Sequence, residues 1–300
     1  MCDLKAKLDQ WKEWCFGNDV HSVSNQIHNM IRDSAVFQCI NEARGHAPKD
    51  KNGEPKLNGT VHAFINRCFF QTQAMAIRRL LDRRQDVVSL RRLINDIQEN
   101  CELLTRAGLL GAYGYPYDYE PERANLHGKY DQGHGQAAAG GLIKCAHSKA
   151  IHGFMDSMAG VEPSRRKPDD RPREAVFRWL LKRLHECEAI VNFVNKYVAH
   201  SATADSRAKV NTDMVTLGKI LEAHRMLCET AEIVGMNILF QSHGNFLAIP
   251  QYDQFEYFEK PWATEGVVKE LREFWDDYYK ATGKWKDWDW QAEFNESAEK

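Results

Sequence analysis

The chain has 300 residues, of which 43% are hydrophobic and 27% are charged. This is enough apolar side chain to bury a core, so the composition excludes wholesale disorder. The 40 Lys and Arg are balanced by 42 Asp and Glu, so the formal net charge is −2. This excludes a protein that coats nucleic acid through an overall positive charge, but it is compatible with a basic patch on one face. There is no apolar run of about 18 residues and no secretory pattern in the first twenty, so we expect a cytoplasmic protein without a membrane span. The closest two cysteines, Cys2 and Cys15, are 13 positions apart, which predicts reduced cysteines and neither a metal nor a cofactor.

The N-terminal segment, residues 1–58, is predicted to hold two short helices followed by a loop. Trp11, Trp14 and Cys15 form an apolar patch in the first helix. Asp19 or Ser22 caps the second helix. Residues 46–59 are rich in turn-forming and charged residues, which is typical of an exposed loop.

Four long helices are predicted in the region 59–240, because apolar residues recur there at three- and four-residue steps. They cover 61–84, 89–108, 172–200 and a stretch from about 212 into the 230s. Ser89 is the predicted N-cap of the second helix, and Asn211 or Thr212 that of the fourth. The pattern predicts an all-α fold built as an antiparallel helical bundle.

Two regions lie outside this pattern. Ten of the 19 glycines fall between Gly108 and Gly160, so residues 108–172 are predicted to be a long insertion loop with one short helix near 141–158. Its four histidines have no metal-binding spacing and are interpreted as loop residues; they are His127, His134, His147 and His152.

The last region, residues 241–300, is an aromatic-rich C-terminal extension. From Phe255 onward it carries 12 acidic and 7 basic residues, and it holds five of the eight tryptophans. A helix is expected near 266–282. We interpret it as a packed terminal helix, with a protein-binding surface as the alternative.

One short motif carries most of the functional information. The segment Asn195-Lys196-Tyr197-Val198-Ala199-His200 ends the third long helix. It resembles the signature of the HEPN superfamily, and most of all its abortive-infection branch. The stretch from Ile77 to Ile94 is similar to the segment which that branch places upstream, so the resemblance covers roughly residues 61–239.

The resemblance implies a four- to five-helix bundle that acts as a metal-independent endoribonuclease in phage defence or a toxin–antitoxin system, commonly as a homodimer. In that reaction the ribose 2′-OH attacks the neighbouring phosphate. By resemblance His200 is the acid–base residue, because an imidazole titrates near neutral pH. Asn195 is the polar residue that orients the phosphate or the 2′-OH, and Tyr197 offers a ring for base stacking.

The chain departs from the signature at one position. Val194 stands where the family has an arginine, and Val194 also belongs to the buried stripe of the helix. Three hypotheses remain open: another cation replaces the arginine, a dimer partner supplies one, or the site is inactive and serves as an RNA- or nucleotide-binding or protein-interaction scaffold. The replacement candidates are Lys196, Arg178, Lys182 and Arg183. A purely structural interpretation of His200 is also open, in which it caps the carbonyls at the end of the helix.

Two arginine-rich stretches are candidate RNA contacts. One spans residues 78–92 and the other spans 165–183, which leads directly into the motif helix. One hypothesis is that either stretch forms a surface that binds the phosphates of RNA. The alternative is that neighbouring acidic residues neutralise its cations.

Overall fold

A computed structural model describes residues 3–131, 135–199, 202–208, 215–247, 252–258, 260 and 266–284, with side chains described outside 129–138. All regular structure in these residues is helical, apart from one isolated β-bridge between Lys49 and Pro55. The all-α prediction is therefore confirmed. No described helix has the length and apolar character needed to cross a lipid bilayer.

Twelve α-helices follow one another along the described chain. They are α1 (Leu4–Phe16), α2 (Val23–Gly45), α3 (Gly59–Leu80), α4 (Leu90–Glu99), α5 (Arg106–Tyr113), α6 (Tyr119–Asp131), α7 (Gly135–Ala159), α8 (Glu174–His185), α9 (Glu188–Phe193), α10 (Ala204–Arg207), α11 (Leu217–Val234) and α12 (Val267–Gly283). Short 3₁₀ turns lie at Cys101–Leu103 and Pro163–Arg165, and π-helical turns at Val194–Val198 and Gly235–Leu239.

Polar side chains fix where several helices begin. Ser22, Asn58, Ser89 and Thr216 each accept a backbone N–H in the first turn of α2, α3, α4 and α11. Each such bond satisfies a donor that has no partner inside the helix. The predicted cap Ser89 is confirmed, whereas the caps predicted for the fourth helix, residues 211 and 212, lie outside the described residues.

The hydrophobic core of residues 1–248 is formed by the apolar helix faces that the periodicity predicted. α2 packs against α3, and α11 packs against α2, α3 and α8. The fully buried side chains include Ile27, Ile77, Phe177, Val194 and Leu227. The predicted helix 172–200 is divided in the structure, because a turn at residues 186–187 separates α8 from α9.

The prediction of a long insertion loop over residues 108–172 is wrong, although the short helix expected near 141–158 falls inside α7. This region holds most of α5 and all of α6 and α7, and α6 packs closely against α7. Gly114, in the left-handed conformation with φ 67°, ends α5. Gly141 lets the two helices approach, since a Cβ there would lie 2.7 Å from Leu126 Cδ1. The predicted second helix is also shorter than expected, because α4 ends at Glu99 and Gly108 lies inside α5.

The chain divides into two compact units, Met1–Ala248 and Ile249–Lys300. The N-terminal helices α1 and α2 belong to the same unit as the bundle. Residues 237–247 form no strand, and the first of them belong to the π-helical turn Gly235–Leu239. In the second unit α12 exposes a row of large apolar side chains, among them Leu271, Phe274 and Trp275.

Candidate nucleic-acid interface

The HEPN-like motif lies on a π-helical turn that continues α9. Residues 194–198 form this turn, in which the N–H of Ala199 donates to the carbonyl of Val194 at 2.8 Å. A π-turn is a rare local conformation that is frequent at functional sites. The predicted acid–base residue, His200, lies outside the described residues.

Val194 is completely buried and belongs to the hydrophobic core. Its place on the apolar stripe of the helix predicted this. A guanidinium at position 194 would leave an unpaired charge among aliphatic side chains, which is strongly unfavourable. The family's arginine therefore has no room at this position.

A cation reaches the motif from another helix. Arg78, in the last turn of α3, donates from Nε to Oδ1 of Asn195 at 2.7 Å. Both side chains are half-buried. The packing of α3 against α9 and the π-turn brings them together. Arg78 was not among the four predicted replacements for the missing arginine.

The two residues after Asn195 are held by the segment around α10. Lys196 Nζ donates to Ser206 Oγ at 2.8 Å. The ring of Tyr197 stacks on Phe193 with centroids 5.2 Å apart, and Arg207 lies 5.8 Å from its centroid. Tyr197 is 37% exposed, so its ring is partly accessible next to Arg207.

The three predicted cations lie on α8, which a turn separates from α9 and the motif, and two of them are engaged in ion pairs. Arg178 lies 3.9 Å from Glu174, and Arg183 pairs closely with Glu229 while it packs over the ring of Trp179. Lys182 is exposed. The structure gives no contact between these residues and Asn195, so it does not join them to the motif.

The first arginine-rich stretch is also partly neutralised. Arg83 and Arg91 both bind Oε1 of Glu188, at 2.6 and 2.8 Å. Burial raises the pKa of the Glu188 carboxyl, but the hydrogen bonds and charges of the two arginines outweigh it, and the net pKa lies below its usual value. Arg79 remains exposed on the surface of α3.

A second polar cluster, which the sequence did not reveal, is buried between α5 and α7. Arg106 has no exposed surface, and its guanidinium binds Asp170 at 2.8 Å and Asp156 at 2.9 Å. It also donates to the carbonyl of His152 at 3.0 Å. Because these acceptors surround the guanidinium, the cluster is a structural ion-pair network.

The histidines of this region do not form a metal site in the described residues. His152 is buried against the Arg106 cluster, and burial is the main cause that lowers its pKa. His127 and His147 are exposed on α6 and α7, and His134 lies outside the described residues. No group of three or more potential ligands occurs in the part of the chain that the structure describes.

Comparisons of the chain with protein-family models, curated proteins and solved structures gave no match. The resemblance to the HEPN superfamily therefore rests on the motif residues and on the segment upstream of them.

Proposed function

We propose that the chain is a HEPN-like RNA-binding protein that cleaves RNA at a site formed by Asn195, Arg78 and His200. The observation that carries the proposal is the 2.7 Å hydrogen bond from Arg78 Nε to Asn195 Oδ1. It places a cation at the motif although position 194 is a buried valine. The resemblance supplies the reaction class, and Arg78 supplies the charge that the reaction requires.

The chemistry assigns one role to each side chain. Asn195 accepts from Nε of Arg78, which orients the fork so that its terminal nitrogens are left to donate to a phosphate. These nitrogens have no other partner among the described residues. His200 takes the proton from the 2′-OH and returns one to the 5′-oxygen, because its neutral and charged forms are both accessible near neutral pH. Lys196 and the Tyr197 ring contact the neighbouring phosphate and base.

The proposal includes the assembly that the resemblance implies. In a homodimer two motifs face each other, and the site then holds a second set of cations. A phage-defence or toxin–antitoxin role follows from the same resemblance. The aromatic C-terminal extension is proposed as the surface for a protein partner, since α12 exposes a row of apolar side chains.

A second candidate function is an RNA- or nucleotide-binding or protein-interaction scaffold without catalysis. The burial of Val194 favours it, because the family's own arginine cannot be accommodated there. The RNA-binding form of this second candidate also predicts RNA contact at Arg78, and it differs from the catalytic proposal only in the effect of His200.

A paired set of variants tests the proposal. We expect His200→Ala to abolish cleavage of a single-stranded RNA while leaving RNA affinity nearly unchanged. We expect Arg78→Ala to lower both the cleavage rate and the RNA affinity, because the variant loses the proposed phosphate contact and the hydrogen bond that orients Asn195. Arg79→Ala, one residue along the same helix and exposed, is the matched control and keeps cleavage.

The outcomes separate the two functions. If purified protein never cleaves RNA but Arg78→Ala still lowers RNA affinity more than Arg79→Ala does, the non-catalytic function is correct. If neither variant changes RNA affinity, no RNA lies at the motif, the catalytic proposal and the RNA-binding scaffold are both wrong, and only a protein-interaction scaffold is left.

A further inference from the structure

The helical hairpin α6–α7 contains a basic groove that the proposed function does not use. The groove has a volume of about 300 Å³ and lies between the two helices. From α6 it is lined by Tyr119, Arg123 and His127, and from α7 by Leu142, Cys145, Ala146 and Lys149. The three residues of α6 are four positions apart, and the four residues of α7 follow an i, i+3, i+4, i+7 spacing. Each set therefore lies on one face of its helix, and the two faces line one groove.

The two charged side chains that line this groove are both cations, while two carboxylates lie beside it: the Tyr119 hydroxyl donates to Glu120 Oε1 at 3.4 Å, and the charge of Glu122 adds to the rise in the pKa of the Cys145 thiol. Arg123 and Lys149 are the charged lining residues, and none of the described lining residues is acidic. Neither cation forms an ion pair within the described residues. Two like charges facing one groove repel each other unless an anion lies between them, and low-dielectric walls strengthen their common field.

Arg123 keeps its two terminal guanidinium nitrogens available for a bidentate contact. Its Nε donates to Nε2 of His127 at 3.4 Å. Because this contact uses Nε, the terminal guanidinium nitrogens are left to form parallel hydrogen bonds with two oxygens of one anion. Lys149 contributes a compact ammonium from the opposite helix.

The floor between these cations is apolar. Cys145 is 1% exposed and Tyr119 is 8% exposed, and Leu142 and Ala146 complete this surface. Burial is the main cause that raises the pKa of the Cys145 thiol, which keeps the floor uncharged. An apolar floor between two cations suits an anion that carries an apolar body.

We propose that the α6–α7 groove binds a small phosphomonoester, with its phosphate between Arg123 and Lys149 and its apolar body on the floor. Phosphate matches the guanidinium fork and the ammonium together. The volume is that of a small ligand site rather than of a macromolecular interface, since ligand pockets begin at about 300 Å³. The groove does not depend on the motif at Asn195.

Phenyl phosphate is the probe that tests this proposal, with affinity measured by isothermal titration calorimetry on the full chain. We expect Arg123→Gln and Lys149→Gln each to weaken its binding about tenfold, because each removes one charge-assisted contact. Arg123→Lys keeps the charge but loses the fork, and we expect an intermediate loss. Lys144→Gln is the matched control, since Lys144 is exposed on α7 but does not line the groove.

Two further probes examine the two halves of the site. Inorganic phosphate lacks the apolar body, so it should bind several-fold more weakly than phenyl phosphate. Phenol lacks the charge and should not bind detectably. Circular dichroism establishes that each variant keeps its helix content.

Several results would overturn the proposal. The proposal is wrong if phenyl phosphate does not bind. It is also wrong if the control and both glutamine variants bind phenyl phosphate equally well, or if the protein binds phenyl phosphate and inorganic phosphate with equal affinity. A loss of RNA binding alone in the Arg123 and Lys149 variants would also overturn it, since the groove would then contact a nucleic-acid backbone. The two sites are separated by their variants, because Arg123→Gln and Lys149→Gln should lower phenyl phosphate affinity and keep RNA cleavage, whereas Arg78→Ala should lower RNA affinity and keep phenyl phosphate binding.

Discussion

His224 makes the stability of the first unit depend on pH in a way that can be calculated from the structure. The side chain lies on α11, is 3% exposed, and neither ring nitrogen has a hydrogen-bond partner among the described residues. Burial lowers its pKa from 6.5 to about 4. The unfolded chain therefore takes up a proton first as the pH falls, so stability decreases below about pH 6.5 and the loss is complete near pH 4.

The magnitude follows from the shift. A lowering of the pKa from 6.5 to about 4 corresponds to about 3 kcal/mol once the pH is below both pKa values. At about pH 5 the unfolded form is almost fully protonated and the folded form is mostly neutral, which gives a loss of about 2 kcal/mol relative to neutral pH. His224→Leu removes the titrating ring, so the variant should lack this part of the loss.

Urea unfolding at about pH 7.5 and about pH 5 measures the difference. We expect wild-type protein to lose about 2 kcal/mol more than His224→Leu between these conditions. Other buried histidines, such as His152 and His243, titrate in both proteins and cancel in the comparison. His21→Leu, an exposed control, should behave as wild type. Parallel loss of stability in wild type and His224→Leu would refute the reasoning, because the imidazole would then be hydrated or paired in the folded state.

Three further predictions concern packing and charge. Val194→Arg should cost more than about 3 kcal/mol in urea unfolding rather than restore cleavage, because it buries an unpaired charge; a folded variant with increased ribonuclease activity would contradict this. Arg106→Leu should destabilise the protein by about 3–5 kcal/mol, since it leaves Asp170 as an uncompensated, largely buried carboxylate; a change below about 1 kcal/mol would show that the cluster is hydrated. Gly140→Ala, where a Cβ meets nothing within 4 Å, should raise the thermal midpoint through a gain of about 0.5–1 kcal/mol in helix propensity. Gly141→Ala should gain less, because its Cβ displaces a leucine of α6, and equal gains would argue against the close packing of α6 and α7.

The sequence predicts those parts of the fold whose signal is local. α3, α8, α9 and α11 each follow from an apolar stripe, and the burial of Val194 follows from its place on one of them. The cap at Ser89 follows from its position before such a stripe. In these cases residues within one or two turns of each other carry the information.

The sequence does not predict the pairing of α6 with α7, because one glycine of the hairpin, Gly141, has a tertiary role. Composition indicated an irregular loop, since glycine has a poor helix propensity and favours turns. Gly141 instead lies within α7 and is placed against Leu126 of α6, where a larger side chain would collide. Such a glycine is distinguished from a loop glycine only when the neighbouring helix is known.

The same limit explains why Arg78 was not predicted at the motif, and it sets a condition on the proposed site. Arg78 and Asn195 are 117 positions apart in sequence, and only the packing of α3 against α9 joins them. In the signature the cation belongs to the motif helix itself, so it lies near the histidine whenever that helix forms. Here the cation arrives from a second helix, and its position depends on the register of two packed elements. The phosphate contact at Asn195 therefore requires the tertiary fold and not the motif helix alone. A substitution that shifts α3 along α9 would separate the Arg78 guanidinium from the Asn195 amide although neither residue is changed. In such a variant the RNA affinity should fall while the helix content stays the same.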